Sequence, residues 1–244
     1  VKIGIIGFGR LGQLLTRYLA QDFHVYVHDL NLDTQAVISL GAVPAELDTV
    51  CSQTVVLPLV PISAFDGLMQ TIAPRLKPGT LVIDCCSVKV SPVASMLKHL
   101  PTEVSILATH PMFGPDSAAE TLFGSKLVLC PVRVPEPLYQ ELTRYLEKHG
   151  IKLIETTPAA HDEQISRSLF LAHFLGRTLI ELEAGPLEID TKGYRRLMKI
   201  LLTVENDSWQ LFDDMYHYNP YAKSTKTDFL AAMQQVLDKL EGPA

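Results

Sequence analysis

The chain has 244 residues, of which 47% are hydrophobic and 20% charged. That composition excludes a disordered chain, a collagen-like repeat and a disulfide-stapled mini-protein, and the length suffices for one large core or two smaller ones. With 21 Lys+Arg against 27 Asp+Glu the formal charge is -6, which opposes non-specific attraction to nucleic acid or anionic lipid, so an anionic ligand must meet local positive groups.

Short β-branched runs at 2–6, 24–27, 54–58, 81–84, 105–108 and 126–130 read as strands. Helical periods fill gaps at 12–20, 63–72 and 92–99, and another follows the last strand at 137–149. Prolines 131, 135 and 137 mark a loop before that late helix, and 153–154 is one more short apolar run. Alternating strands and helices predict an α/β fold with a Rossmann-type, doubly wound parallel sheet over residues 1–157. The most apolar stretch, 55–62, contains Pro58 and Pro61 and falls far short of the roughly 20 apolar residues of a membrane span.

From Pro158 the pattern changes to long helical periods without strands, predicting a smaller all-helical domain over 158–244. The first helix spans 161–183, with Ile165, Leu169, Ala172, Leu175, Leu179 and Leu182 in an i, i+3, i+4 stripe. A second helix runs from 192 to about 216 and a third over 225–240, separated by the turn-like Asn219-Pro220. So apolar a stripe on three helices needs a partner surface, which predicts a homodimer through the C-terminal half. No internal repeat or low-complexity segment interrupts the chain.

Cysteines stand at 51, 85, 86 and 130 with no CxxC and no zinc-type Cys/His spacing, so neither a metal nor a disulfide framework is expected. Two adjacent cysteines suit a reducing compartment. Val1 opens an apolar strand directly, so no secretory signal is expected, and the predicted location is cytoplasmic, or plastid stroma where a transit peptide has been trimmed.

Gly7-Phe8-Gly9-Arg10-Leu11-Gly12 lies between a strand and a helix, the context a dinucleotide fingerprint requires. Gly7 allows the tight turn, Gly9 the approach of a pyrophosphate, and Gly12 close packing of the helix on the sheet. Asp29 follows the next strand, 22 residues after Gly7, where a carboxylate accepts both ribose hydroxyls and repels a 2'-phosphate. NAD is therefore favoured over NADP, although Asn31 or a distant lysine folding over the ribose would shift the preference. Pro58, ending a neighbouring strand, joins the candidate cofactor set. Arg10 reads either as a phosphate ligand or as a solvated side chain.

Thr109-His110-Pro111-Met112-Phe113-Gly114-Pro115-Asp116 follows a predicted strand, which puts His110 near the C-terminal edge of the sheet. Oxidising an alcohol by hydride transfer needs a group that takes the hydroxyl proton, a task that suits neutral imidazole. Pro111 and Gly114-Pro115 constrain the loop after it.

Four motifs together resemble the prephenate/arogenate dehydrogenases: Gly7-x-Gly9-x-x-Gly12, Asp84-x-x-Ser87-Val88-Lys89, the His110 to Pro115 run, and His161-Asp162 with His173 eleven residues beyond Asp162. In the C-terminal half, Thr191-Lys192-Gly193-Tyr194, Asp207-Ser208-Trp209 and Tyr218-Asn219 are similar to the plant-type arogenate dehydrogenases, which usually carry Phe where Trp209 stands. The resemblance implies oxidative decarboxylation of arogenate or prephenate in tyrosine biosynthesis, with NAD or NADP as hydride acceptor. It implies His110 as the catalytic group and Ser87 as its partner at the substrate hydroxyl, Ser87 alternatively capping the helix that follows. It assigns His173 to the substrate, against the reading of a satisfied core histidine, and leaves Lys89 between a carboxylate contact, support for the Ser87 loop and an ordinary surface lysine. His161 and Asp162 open the same helix, where Asp162 complements the helix dipole.

Both substrates carry two carboxylates, so a cationic anchor is expected. Prephenate-type microbial enzymes place an arginine five residues before the aspartate that matches Asp207, and here that position is Leu202. Arg195, Arg196 and Arg167 are the candidate replacements, together with Lys223 or Lys226 from a second subunit. Asp207 is either a reader of the arogenate ammonium or a helix-surface charge. The rival readings are another two-domain NAD(P)-dependent hydroxyacid dehydrogenase and a non-catalytic dinucleotide sensor.

Overall fold

The structure is a computed structural model that describes residues 1–242, apart from the side chains at 202 and 203. The chain divides into two compact units, Val1–Pro158 and Ala159–Ala244.

The first unit runs β1 (Lys2–Ile6), α1 (Arg10–Leu19), β2 (His24–His28), α2 (Thr34–Ser39), β3 (Val43–Pro44), α3 (Leu47–Cys51), β4 (Val55–Pro58), α4 (Ile62–Ile72), β5 (Leu81–Asp84), α5 (Val90–His99), β6 (Ser105–Pro111), β7 (Lys126–Arg133), α6 (Glu136–Lys148) and β8 (Lys152–Glu155). The strands form one sheet in the order β3-β2-β1-β4-β5-β6-β7-β8. Central strands are apolar on consecutive residues because both faces are covered: Ile3, Ile5 and Ile6 of β1 and all seven residues of β6 are buried.

Three features depart from the sequence-based expectation. The sheet is mixed, because β7 runs antiparallel to β6. No helical crossover separates them, so residues 112–125 simply turn the chain back along its neighbour. Pro131 belongs to β7 and not to a loop; it lies opposite Leu107 where the register shifts, and such an irregularity tolerates a residue without an N–H. The short elements β3, α2 and α3 were not expected; α2 begins where Asp33 accepts the Ala36 N–H at 3.0 Å as its cap.

The second unit contains α7 (Pro158–Ile165), which passes through a wider π-type turn (Ser166–Phe170) into α8 (Leu171–Glu181), followed by α9 (Lys192–Val204), α10 (Trp209–Tyr218) and α11 (Ala222–Glu241). The helix expected from 192 to 216 is two helices. Ser208 starts the second by accepting the Leu211 N–H at 3.1 Å, at the end of the polar run Glu205-Asn206-Asp207-Ser208. Helices α8 and α9 pack closely at Gly176, where a Cβ would lie 2.6 Å from a methyl of the buried Val204. Phe170, 1% exposed, stacks on Phe212 at 5.6 Å and anchors an aromatic core. Of the predicted stripe, Ile165 is buried and Leu182 is 72% exposed.

Candidate active site

Strands β1, β4, β5 and β6 are adjacent and parallel, so the segments that follow them emerge along one edge of the sheet. That edge carries the glycine turn after β1, Pro58 at the end of β4, Ser87 beyond β5 and His110 at the end of β6. It is the edge at which open α/β sheets bind ligands.

Gly7 adopts φ 105, and a Cβ there would lie 2.3 Å from the Leu59 carbonyl oxygen; a Cβ on Gly12 would come equally close to the Gly7 carbonyl. Both glycines are therefore required by the protein's own packing. Gly9 is different, because a Cβ there would meet nothing within 4 Å. Its bareness serves no internal contact and suits a ligand that comes close to the backbone. The first intrahelical bond of α1 runs from the Gln13 N–H to the Gly9 carbonyl at 2.9 Å, so the amides of residues 10–12 form the first turn that faces a bound anion. Asp29 accepts the Phe8 N–H at 2.7 Å and the Asn31 N–H at 2.9 Å, one on each oxygen. Each oxygen retains a further lone pair for a ribose hydroxyl. These residues fit a dinucleotide.

His110 is 6% exposed and is positioned through its neighbour. The Thr109 hydroxyl donates to the Asp84 carbonyl at 2.6 Å, and the Thr109 carbonyl accepts from the Lys89 ammonium. Lys89 also meets the Asp84 carboxylate at 2.5 Å, and that carboxylate accepts the Cys86 N–H at 2.9 Å. The Asp84-x-x-Ser87-Val88-Lys89 motif is thus a buried clasp between the ends of β5 and β6. Of the alternatives for Lys89, the surface lysine is corrected, because Lys89 is wholly buried, and its bonds to Asp84 and Thr109 are those of a support for the loop that carries Ser87. Ser87 does not cap α5, whose cap position is Lys89 with no side-chain cap bond. The Ser87 hydroxyl is buried without a hydrogen-bond partner, an arrangement that costs free energy until a ligand supplies one. Burial pushes the Cys85 thiol, two residues before Ser87, up to about 11, so it stays protonated near neutrality.

In the second unit, His173 is 2% exposed, and its Nε2 lies 3.5 Å from an Asp207 carboxylate oxygen while its Nδ1 has no partner. Burial lowers its pKa below 6.5, Asp207 opposes that shift and Arg177 adds to it. Arg177, one turn along α8, donates to the Asp207 main-chain carbonyl and lies 5.7 Å over the Trp209 ring, and its Nε is buried without a partner. Arg177 was not singled out in the sequence; it stands at i+4 from His173 on the same helix face.

Other predicted residues are placed differently. Phe8 packs its ring in the core and commits its amide to Asp29, so it offers no side chain to a cofactor. Arg10 forms an exposed pair with Asp116 at 2.6 Å, weak enough to be exchanged for a phosphate. Leu11 lies in the first turn of α1, and Pro58 is buried beside Ile6 in the sheet. Arg195 and Arg196 are exposed on α9, with Arg195 paired to Asp190 at 2.9 Å, and the exposed Arg167 pairs with Glu163 at 3.2 Å. Lys223 is exposed, while Lys226 donates to the Tyr216 hydroxyl at 2.7 Å within its own chain. His161 and Asp162 are buried and meet at 2.7 Å, and the Asn219 amide donates to the Asp162 carbonyl. The side chain of Leu202 lies outside the described residues. All four cysteines are free. Among the described residues no cluster of three or more metal-ligating groups occurs, and no helix is long and apolar enough to cross a membrane.

Residues 22–155 match the family model for the prephenate dehydrogenase nucleotide-binding domain, and residues 178–244 match a TYRAAT1-like C-terminal domain. The chain is 32% identical to arogenate dehydrogenase 2, chloroplastic, of Arabidopsis thaliana, over 99% of its own length and 70% of the relative's. It is 31% identical to arogenate dehydrogenase 1, chloroplastic, of the same plant, over 99% of its own length but only 39% of that longer protein. In fold it is similar to the prephenate dehydrogenase of Aquifex aeolicus in complex with hydroxyphenyl propionate and NAD+, with a TM-score of 0.76, 18% identity, and coverage of 98% of this chain and 89% of that one.

Proposed function

This chain belongs to the prephenate/arogenate dehydrogenase family, and we propose that it carries out the NAD-dependent oxidative decarboxylation of arogenate, and less readily of prephenate, on the route to tyrosine. The observation that carries the reading is the common sheet edge shared by the Gly9 approach, the unsatisfied Ser87 hydroxyl and His110. When bound, NAD accepts the hydride that leaves the ring carbon bearing the hydroxyl.

His110 takes the proton of that hydroxyl as the carbon is oxidised, and Ser87 donates to the same oxygen. The ring then loses its carboxylate as carbon dioxide. The electron pair of the broken bond completes the aromatic ring and leaves negative charge on the oxygen, to which His110 returns the proton. The imidazole therefore begins and ends neutral. Aromatisation supplies the driving force, so the chain's main work is orientation and proton handling.

Asp207 favours arogenate, whose ammonium its charge compensates, over prephenate, whose keto group leaves the carboxylate uncompensated. Asp29 favours NAD over NADP. The four free cysteines fit a reducing compartment, cytoplasm or plastid stroma. Helix α11 exposes Leu230, Met233, Leu237 and Leu240 at 3-4-3 spacing, a seam that suits a second copy of the chain and supports a homodimer.

The test is a set of initial rates with arogenate and prephenate, each with NAD and NADP, read at the reduced-nicotinamide absorbance. Arogenate with NAD should be fastest. His110→Ala should bind NAD normally and lose turnover about 100- to 10,000-fold. Inactivity of the unaltered enzyme with every pair would overturn the reading.

A further inference from the structure

We infer that Arg177, His173 and Asp207 form a reader of an α-amino-acid group, with Arg177 as the carboxylate anchor, His173 Nδ1 as the ammonium acceptor and Asp207 as the negative charge behind that imidazole. The inference rests on the proposed reaction and names which side chains hold the substrate's amino-acid arm.

Two buried polar atoms lack partners here, Arg177 Nε and His173 Nδ1. They lie one helical turn apart on α8, and both residues meet Asp207, Arg177 through its main-chain carbonyl and His173 through its side chain. A buried guanidinium N–H without an acceptor is costly, and a carboxylate matches its planar fork. A neutral imidazole whose Nε2–H faces Asp207 leaves Nδ1 as an acceptor for an ammonium N–H, while Asp207, on the opposite side of the ring, fixes that tautomer and supplies the compensating negative charge. The unmet needs are thus one acceptor and one donor at adjacent places, and an α-amino-acid group supplies both.

Trp209 completes the arrangement. Its ring lies 5.7 Å from the guanidinium and the residue is 58% exposed, so an aromatic face borders Arg177 on the side that meets solvent. The other candidate arginines of this unit are exposed or bound to carboxylates of their own.

The test compares KM and kcat for both substrates in Arg177→Met, Arg177→Lys and Asp207→Asn. Arg177→Met should raise KM for arogenate and prephenate alike by about 10- to 100-fold, with kcat and the KM for NAD little changed, and Arg177→Lys should recover part of the loss. Asp207→Asn should raise KM for arogenate only. Inhibition of the unaltered enzyme gives a readout independent of folding of the variants: tyrosine should bind more tightly than tyramine, which lacks the carboxylate, and more tightly than 3-(4-hydroxyphenyl)propionate, which lacks the amine. An active enzyme whose KM values ignore Arg177, or which binds tyramine as well as tyrosine, overturns this inference and leaves the proposed reaction standing. An enzyme inactive with both substrates overturns the reaction, and the inference with it.

Discussion

Asp84 and Lys89 meet at 2.5 Å with neither side chain exposed to water. Their pairing ties the end of β5 to the Thr109 carbonyl, one residue before His110, so the ion pair fixes the β6 backbone that carries His110. Removing one partner strands the other charge in an apolar interior. Lys89→Met should therefore lower stability by about 3–5 kcal/mol in urea unfolding, and the double variant Asp84→Asn, Lys89→Met should regain much of that loss. A single-variant loss below about 1 kcal/mol would mean that the clasp is solvated.

The three fingerprint glycines separate into two kinds, and substitution should reveal both. Gly12→Ala drives a Cβ against the Gly7 carbonyl, backbone that cannot step aside, and should cost at least about 1 kcal/mol of stability. Gly9 has φ -67 and open space around it, so Gly9→Ala should unfold within about 0.5 kcal/mol of the parent. Its NAD affinity should nevertheless fall about tenfold or more, as titration by nicotinamide fluorescence would show. Equal affinities would place the pyrophosphate elsewhere.

Much of this architecture was legible in the sequence because it is local. The β-branched runs of β1, β2, β4 and β5 and the glycine turn announce themselves within a few residues. The antiparallel β7 was not legible, since strand direction is decided by whether the connection crosses over, and residues 112–125 carry no periodic signal either way. The break between α9 and α10 was missed although the sequence marks it: Glu205-Asn206-Asp207-Ser208 is a run of four polar residues between two apolar periods, ending in the Ser208 cap. At the site, the Asp84-x-x-Ser87-Val88-Lys89 motif drew attention to Lys89 but not to its burial, because that burial depends on a carboxylate five residues earlier and a carbonyl on another strand. Arg177 had no motif at all. Its significance lies in bonds it makes to Asp207 and a bond it lacks.

Acidification should expose the burial of His173. Its folded pKa lies below 6.5, so the folded state holds the ring neutral at pH values where the unfolded chain has begun to bind a proton. The stability it contributes is fully present above pH 6.5 and is lost as pH falls toward and through the folded value, with a slope of at most about 1.4 kcal/mol per pH unit. Proton NMR of the ring gives the sharper check. Asp207→Asn should lower the His173 pKa further and Arg177→Met should raise it, because the carboxylate favours the charged ring and the guanidinium opposes it. Shifts of the same sign in both variants would show that the three groups do not form one electrostatic cluster.

Helix α11 supplies the last expectation. Leu230, Met233, Leu237 and Leu240 are between 45% and 77% exposed and recur at 3-4-3 spacing, the pattern of a helix that buries one seam against another helix. A two-fold interface contains each substituted position twice, so a loss of about 1.5–3 kcal/mol for each unburied leucine is doubled. Leu237→Glu should accordingly weaken self-association at least about 100-fold and shift sedimentation from dimer to monomer at micromolar concentration. Far-ultraviolet dichroism should stay unchanged, since the side chain is already half-exposed within its own unit. A parent chain that sediments as a monomer, or a variant that dimerises as tightly as the parent, would remove α11 from the interface and leave its apolar seam without a partner copy.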